Sequence, residues 1–192
     1  MATMTEIRWH GRGGQGAKTA ATLVGEIAIE EGKYGQGFPE YGPERMGAPI
    51  RGFTRISDAP INQHCAIAHP DIVVILDPTL LEPVDVCENL KDNGIVIVNT
   101  HLDAAAIRPK LSKKNIRLFL VNATQIAMDT IGRPIPNTPM MGALIKAAGI
   151  LKLETVEKDM IKKFSKKFSQ KIVDANVTAV RRAFEEVKQY AN

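Results

Sequence analysis

Three short apolar runs constrain this chain more than any other feature: residues 72–76 (Ile-Val-Val-Ile-Leu), 95–98 (Ile-Val-Ile-Val) and 116–121, the last interrupted only by Arg117. A strand wetted on one face alternates apolar and polar residues, whereas a strand buried on both faces reads as a nearly continuous run like these. Between them lie 80–92 and 102–111, long enough for short helices or helical turns. Such alternation predicts an α/β fold: a three-layer α/β/α sandwich with a mostly parallel central sheet and a helical C-terminal tail. After Asn122 the strand signal stops. Residues 123–131 read as a helix ended by Gly132, Pro134 and Pro136. Thr138 and Pro139 then supply an N-cap and a first-position proline for a helix through 140–151. Residues 153–168 and 172–190 complete the tail.

Upstream, Ile7-Arg8-Trp9-His10 runs into Gly11, Arg12, Gly13, Gly14, Gln15 and Gly16, and a helix-forming segment at 17–31 follows at once. Strand, glycine turn and helix in that order place unpaired helix-start amides, and the positive end of the helix dipole, beside the turn. Such a turn accepts an anionic group. Gly11, Gly13 and Gly16 also fit G-x-G-x-x-G, the dinucleotide fingerprint, which further requires an acid about twenty residues on to hold the ribose. Glu30 and Glu31 fall within the helix and Glu40 sits among glycines and prolines, so that acid is misplaced. Two readings stay open: phosphate contact at the turn, or close packing of turn and helix on the sheet, which Ala17, Ala20, Ala21, Gly25 and Ala28 favour. The Gly-Lys-Ser/Thr ending of a phosphoryl-transfer loop is absent, because Ala17 separates Gly16 from Lys18. No nucleophile elbow surrounds Ser57, Ser112, Ser165 or Ser169. Asp71 and Asp77 bracket the 72–76 run and read as strand-end caps.

Residues 32–52 break the alternation. Six glycines and three prolines there predict an irregular loop. It carries Tyr34, Phe38, Glu40, Tyr41, Glu44 and Arg45, groups suited to specific contacts, and long loops in compact domains are commonly functional. Residues 51–56 alternate and predict a strand joining the sheet edge.

With 192 residues, 44% of them hydrophobic, the chain supports one core and one domain over 1–192. No apolar run approaches the twenty or so residues of a bilayer span, and no basic-then-apolar leader precedes the first strand, so the expectation is a cytoplasmic protein without a membrane contact. Cys65 and Cys87 form no Cys-x-x-Cys pair, and His10, His64, His69 and His101 lack ligand spacing, which argues against a metal site or an iron–sulfur cluster on this chain. The net charge of +4 owes much to Lys162, Lys163, Lys166, Lys167 and Lys171. These recur around Ile161, Phe164, Phe168 and Ile172 as the polar face of an amphipathic helix, and no aromatic platform accompanies them; nucleic-acid binding is not expected.

The glycine turn from His10 to Gly16, joined to Phe38-Pro-Glu-Tyr-Gly-Pro-Glu-Arg-Met-Gly-Ala-Pro49, resembles the gamma subunit of 2-oxoacid:ferredoxin oxidoreductases, with the pyruvate-using members nearest in pattern. Asp71-Ile-Val-Val-Ile-Leu-Asp77-Pro78 and Asn137-Thr-Pro-Met-Met-Gly142 resemble the same family, and the similarity runs from about residue 5 to residue 185. The resemblance implies an α/β/α domain within a multisubunit enzyme that cleaves a 2-oxoacid, passes the acyl group to coenzyme A and reduces ferredoxin. It further implies alpha-, beta- and delta-type partners, with thiamine diphosphate and iron–sulfur clusters held by those other subunits. No catalytic residue is then expected here. The candidate cofactor contacts, for coenzyme A, are Gly11, Arg12, Gly13, Gly14, Gln15, Gly16 and Arg45. For both arginines, capping or surface pairing is the competing reading.

Overall fold

The computed structural model describes residues 3–40 and 47–190. Four parallel strands, β1 (Met4–Arg12), β4 (Ile72–Ile75), β5 (Gly94–Asn99) and β6 (Ile116–Val121), form the middle of a seven-stranded sheet. Beyond β1 lie antiparallel β3 (Pro49–Ser57) and β2 (Tyr34–Pro39); beyond β6 lies the short antiparallel β7 (Lys188–Tyr190). The order is β2-β3-β1-β4-β5-β6-β7. The three apolar runs are central strands for the reason the sequence suggests: β4 and β5 are buried at every position.

One face of the sheet carries five helices, α1 (Ala17–Glu30), α3 (Ala123–Ile131), α4 (Asn137–Ala148), α5 (Leu153–Phe164) and α6 (Gln170–Glu186). Ile7, Trp9, Val74 and Ile97 meet Leu144, Ile145 and Val180 in that core, each large side chain contributing about 1.5–3 kcal/mol by leaving water. The opposite layer is thinner than expected. Among the described residues, two 3-10 turns (Pro78–Leu81 and Arg108–Lys110), the four-residue α2 (Ala104–Ile107) and irregular chain cover it, with Leu80, Leu90 and Ile107 packed on Val73, Val96 and Leu118. The connections on this side are too short for full helices, yet they bury the strands completely.

The sequence reading needs correction at three places. Residues 32–52 are not one irregular loop: they contain β2 and the start of β3, and β2 rather than β3 is the sheet edge. The glycines serve this strand directly. A Cβ at Gly35 would lie 1.8 Å from the Gly25 carbonyl oxygen, and one at Gly37 would lie 2.5 Å from that of Ala21, so α1 rests its backbone on a face of β2 stripped of side chains. Tyr41, Glu44 and Arg45 lie outside the described residues. The strand signal does not stop at Asn122, since β7 pairs with β6 after the last helix. Thr138 is no cap: α4 begins at Asn137, and the Thr138 hydroxyl donates to Asn176 Oδ1 on α6 at 3.0 Å. Among the described residues, no helix is long and apolar enough to cross a membrane.

Candidate functional site

The connection leaving β1 crosses one face of the sheet as α1, whereas the connection leaving β4 crosses the other. In open α/β sheets such a divergence opens a crevice at the carboxyl ends of the two strands, where ligands bind. The glycine turn lies there. Gly11 and Arg12 end β1, and Asp77 follows β4 after Leu76.

A hydrogen-bonded brace fixes the turn. The Gln15 side-chain carbonyl accepts from the Arg12 amide at 2.8 Å, and its Nε2 donates to Asp77 Oδ2 at 2.7 Å. The Thr79 amide and hydroxyl donate to Asp77 Oδ1 at 2.9 and 2.7 Å. Arg12 donates to the Thr79 hydroxyl and to the Gly47 carbonyl, and its Nε lies 3.2 Å from Asp77 Oδ2. Burial of Asp77 favours its neutral form; bonds from Thr79 and Gln15, with the Arg12 charge beside them, outweigh burial and hold the carboxyl below its ordinary range. Gly13 also donates to the Ala48 carbonyl at 3.0 Å, tying the turn to the start of β3.

Of the predicted site residues, all but Arg45 are described. Gly11 and Gly16 answer to packing: an added Cβ would stand 3.1 Å from Ala17 Cβ at the first and 2.5 Å from Asn137 Nδ2 at the second. Gly14 differs, with φ +98 and nothing within 4 Å of an added Cβ, so its backbone faces open space. Arg12 and Gln15 are occupied by the brace. Arg45 lies outside the described residues. Thr79, Asn137 and Arg51 escaped the sequence reading. The Asp-Pro-Thr triplet was the available signal for Thr79, since an aspartate accepting from an amide two residues on is ordinary turn chemistry.

Over the turn lies a cavity of about 480 Å³ lined by Gly13, Gly14, Gly16, Ala17, Lys18 and Thr19 on one side and by Pro39, Glu40, Ile50 and Arg51 on the other. Gly16 caps α1 in the left-handed conformation (φ 79) without a side-chain hydrogen bond. The first helical amides therefore have neither an intrahelical acceptor nor a capping side chain. Arg51 and Glu40 form a two-pronged pair, both contacts 2.6 Å, which holds the Arg51 charge above its ordinary pKa chiefly through that bond. With that pair self-neutralised, the exposed Lys18 ammonium and the helix dipole give the cavity its positive character.

Behind the turn, Arg8 and His10 are almost wholly buried on the thin-layer side of β1. Arg8 Nε donates to His10 Nε2 at 3.1 Å, and its Nη2 donates to the carbonyls of Val86 and Glu88. Burial first, then the Arg8 and Arg51 charges, push the His10 pKa down to about 3, so the imidazole is neutral and acts as an acceptor.

An α/β fold with a glycine turn at its sheet switch point is the class these features define. The family model "Pyruvate ferredoxin/flavodoxin oxidoreductase" matches residues 6–186. The chain is 52% identical over 183 residues to the pyruvate synthase subunit PorC of Thermotoga maritima, covering 95% of this chain and 94% of that one. It is 50% identical over 187 residues to the common gamma subunit of pyruvate/ketoisovalerate oxidoreductases of Thermococcus litoralis, covering 97% and 99%. The crystal structure of the Thermotoga maritima pyruvate oxidoreductase subunit PORC superposes with a TM-score of 0.87 at 48% identity, covering 98% and 99% of the two chains. The chain belongs to the pyruvate ferredoxin/flavodoxin oxidoreductase family, and the resemblance read from its glycine turn and its 38–49 segment is correct.

Proposed function

We infer that this chain is the gamma subunit of a pyruvate:ferredoxin oxidoreductase, a complex that interconverts pyruvate plus coenzyme A and acetyl-coenzyme A plus CO2 with ferredoxin as electron carrier. Its contribution is to shape the complex and to seat part of coenzyme A, not to break the carbon–carbon bond. The carrying observation is the cavity over Gly13, Gly14 and Gly16, walled by the uncapped start of α1 and by Lys18. A phosphate there meets backbone amides, a helix dipole and the Lys18 ammonium, which has no partner among the described residues; that combination fits a phosphate-bearing cofactor. Asp77, Gln15, Thr79 and Arg12 hold the turn in shape for it. Arg45, outside the described residues, is retained among the proposed contacts on the strength of the sequence.

Thiamine diphosphate and iron–sulfur clusters are assigned to the alpha-, beta- and delta-type partners, with ferredoxin meeting the complex rather than this chain alone, in the cytoplasm. This chain's donors do not fit a cluster: of its two cysteines, Cys65 is exposed and Cys87 buried, and among the described residues no three His, Cys, Asp or Glu converge. No redox step is therefore routed through it. A relative shared by pyruvate and ketoisovalerate oxidoreductases at 50% identity supports a second reading, in which the gamma chain serves more than one 2-oxoacid and partner chains choose the substrate.

Anaerobic purification of the complex through a tag on this chain tests the reading. Recovery of a thiamine-diphosphate protein and an iron–sulfur protein, with coenzyme-A-dependent pyruvate oxidation, is expected. A lone chain, or one carrying NAD or FAD, would overturn it.

A further inference from the structure

Sharing Lys18 and Thr19 with the cavity over the glycine turn, a second and larger cavity of about 760 Å³ opens along the outer surface of the helical layer. Its walls are α1, the connection from α3 to α4, and the end of α5 with the start of α6. The floor is apolar: Leu23, Ile131, Phe164, Phe168 and Ile172 line it. Phe168 and Ile172 remain 47% and 42% exposed, although each is large enough to be worth burying. Phe168 meets Phe164 edge-on at 5.7 Å and leaves its remaining surface to the groove.

The rim is charged in one sense. Lys18, Arg133, Lys163, Lys166 and Lys167 line the groove against a single carboxylate, Glu26. Lys163 already satisfies that carboxylate at 2.7 Å, and also pairs with the buried Asp159 at 2.8 Å. Lys18, Arg133, Lys166 and Lys167 make no ion pair with any described residue. An isolated amphipathic face would place such lysines away from its apolar residues. Here four unpaired cations frame an open apolar trough on more than one element.

We propose that this groove docks an acidic amphipathic helix from a partner polypeptide of the oxidoreductase, its apolar side chains on Phe168 and Ile172 and its carboxylates on Arg133, Lys166 and Lys167. Charge complementarity selects an acidic occupant, because a basic or neutral one leaves Arg133, Lys166 and Lys167 unmatched. Helix-in-groove recognition takes apolar anchors at i, i+3 or i+4 and i+7, and a cavity of this volume admits several side chains. A free anion alone would leave the apolar floor wet. Nucleic acid would find no stacking platform, since the exposed ring is a single phenylalanine. The proposal rests on the chain acting within a complex, not on the coenzyme A contact.

Zero-length carbodiimide cross-linking of the intact complex, read by mass spectrometry, is the first test. Lys166 or Lys167 joined to an aspartate or glutamate of another polypeptide within an acidic helix-forming sequence is expected. A link to a second copy of this chain, or no link at these lysines while other lysines react, overturns it. The second test is co-purification with the Lys166→Glu/Lys167→Glu double variant, using the exposed Lys114→Glu as charge control. Partner recovery falls at least tenfold for the double variant and is unchanged for the control, with circular dichroism reporting whether each variant chain is folded. Recovery that disappears on nuclease treatment of the wild-type complex assigns the groove to nucleic acid and overturns the proposal. If the double variant misfolds, the wild-type cross-link decides. Loss of coenzyme A dependence with partners retained speaks only to the glycine turn, so the two readings fail separately.

Discussion

Acidification should weaken this fold through His10 well before its carboxylates protonate. In the native state the imidazole is buried, its Nε2 accepts from Arg8, and its pKa is about 3; in the unfolded chain it returns to about 6.5. The native pKa is depressed below the unfolded one, so the unfolded state binds the proton first and stability falls as pH drops below about 6.5, down to the native value. Linkage over those two values gives a loss of about 2 kcal/mol between pH 7 and pH 5. With a urea m-value of about 2 kcal/mol/M, the unfolding midpoint moves down by about 1 M. His10→Gln retains an acceptor for Arg8 without a titrating group. Urea unfolding of both proteins at the two pH values isolates the effect, because every other group is common to them. The variant should lose about 2 kcal/mol less than wild type over the same interval. Equal losses, or an imidazole resonance titrating near 6 in the folded chain, would refute the assignment.

Two further substitutions address the packing and the brace. Gly142→Ala places a Cβ 2.1 Å from the Val180 carbonyl oxygen, forcing α4 off α6; we expect a loss of about 3 kcal/mol or more in thermal or urea unfolding. Asp77→Asn sets an amide against Gln15 Nε2 and should cost about 1–3 kcal/mol, with faster amide exchange at Gly13 to Gly16 as the local signature. Since native contacts depress the Asp77 pKa, the wild-type contribution holds at neutral pH and is lost as pH falls through the acidic range, so the gap between the two proteins narrows in acid.

The parts of the fold visible in the sequence are those where one physical demand dominates. β4, β5 and all of β6 but the exposed Arg117 are buried, and runs of apolar, often β-branched residues meet that demand. β2 hid because another demand won: α1 lies so close that Gly35 and Gly37 replace the side chains a strand would show. β7 hid because three residues with polar Lys188 and Gln189 on an edge carry no periodicity to detect. The site divides in the same way. A glycine turn before a helix is a local signal, so Gly13, Gly14 and Gly16 could be named in advance. The Asp77 and Thr79 brace is not local. The parallel pairing of His10 with Ile75 brings residues 12 and 77 together at the strand ends, and no spacing in the chain announces that register.

The sequence pointed to Arg12 and not to Lys18 as a phosphate contact, and the structure gives the two residues different work. Arg12 spends its guanidinium on Thr79, Gly47 and Asp77, so its removal releases the turn from β4 and from the segment before β3. Lys18 is exposed at the cavity mouth and has no partner among the described residues. If coenzyme A seats a phosphate over Gly14, Lys18→Ala removes one exposed charge contact, worth about 1 kcal/mol, and raises the KM for coenzyme A about fivefold while kcat and stability hold. Arg12→Ala should lower stability by about 1–2 kcal/mol together with any change in KM, because ligand geometry is lost through the scaffold. The opposite pattern, a KM effect without destabilisation at Arg12 and none at Lys18, would assign the phosphate to the arginine and refute the division of labour.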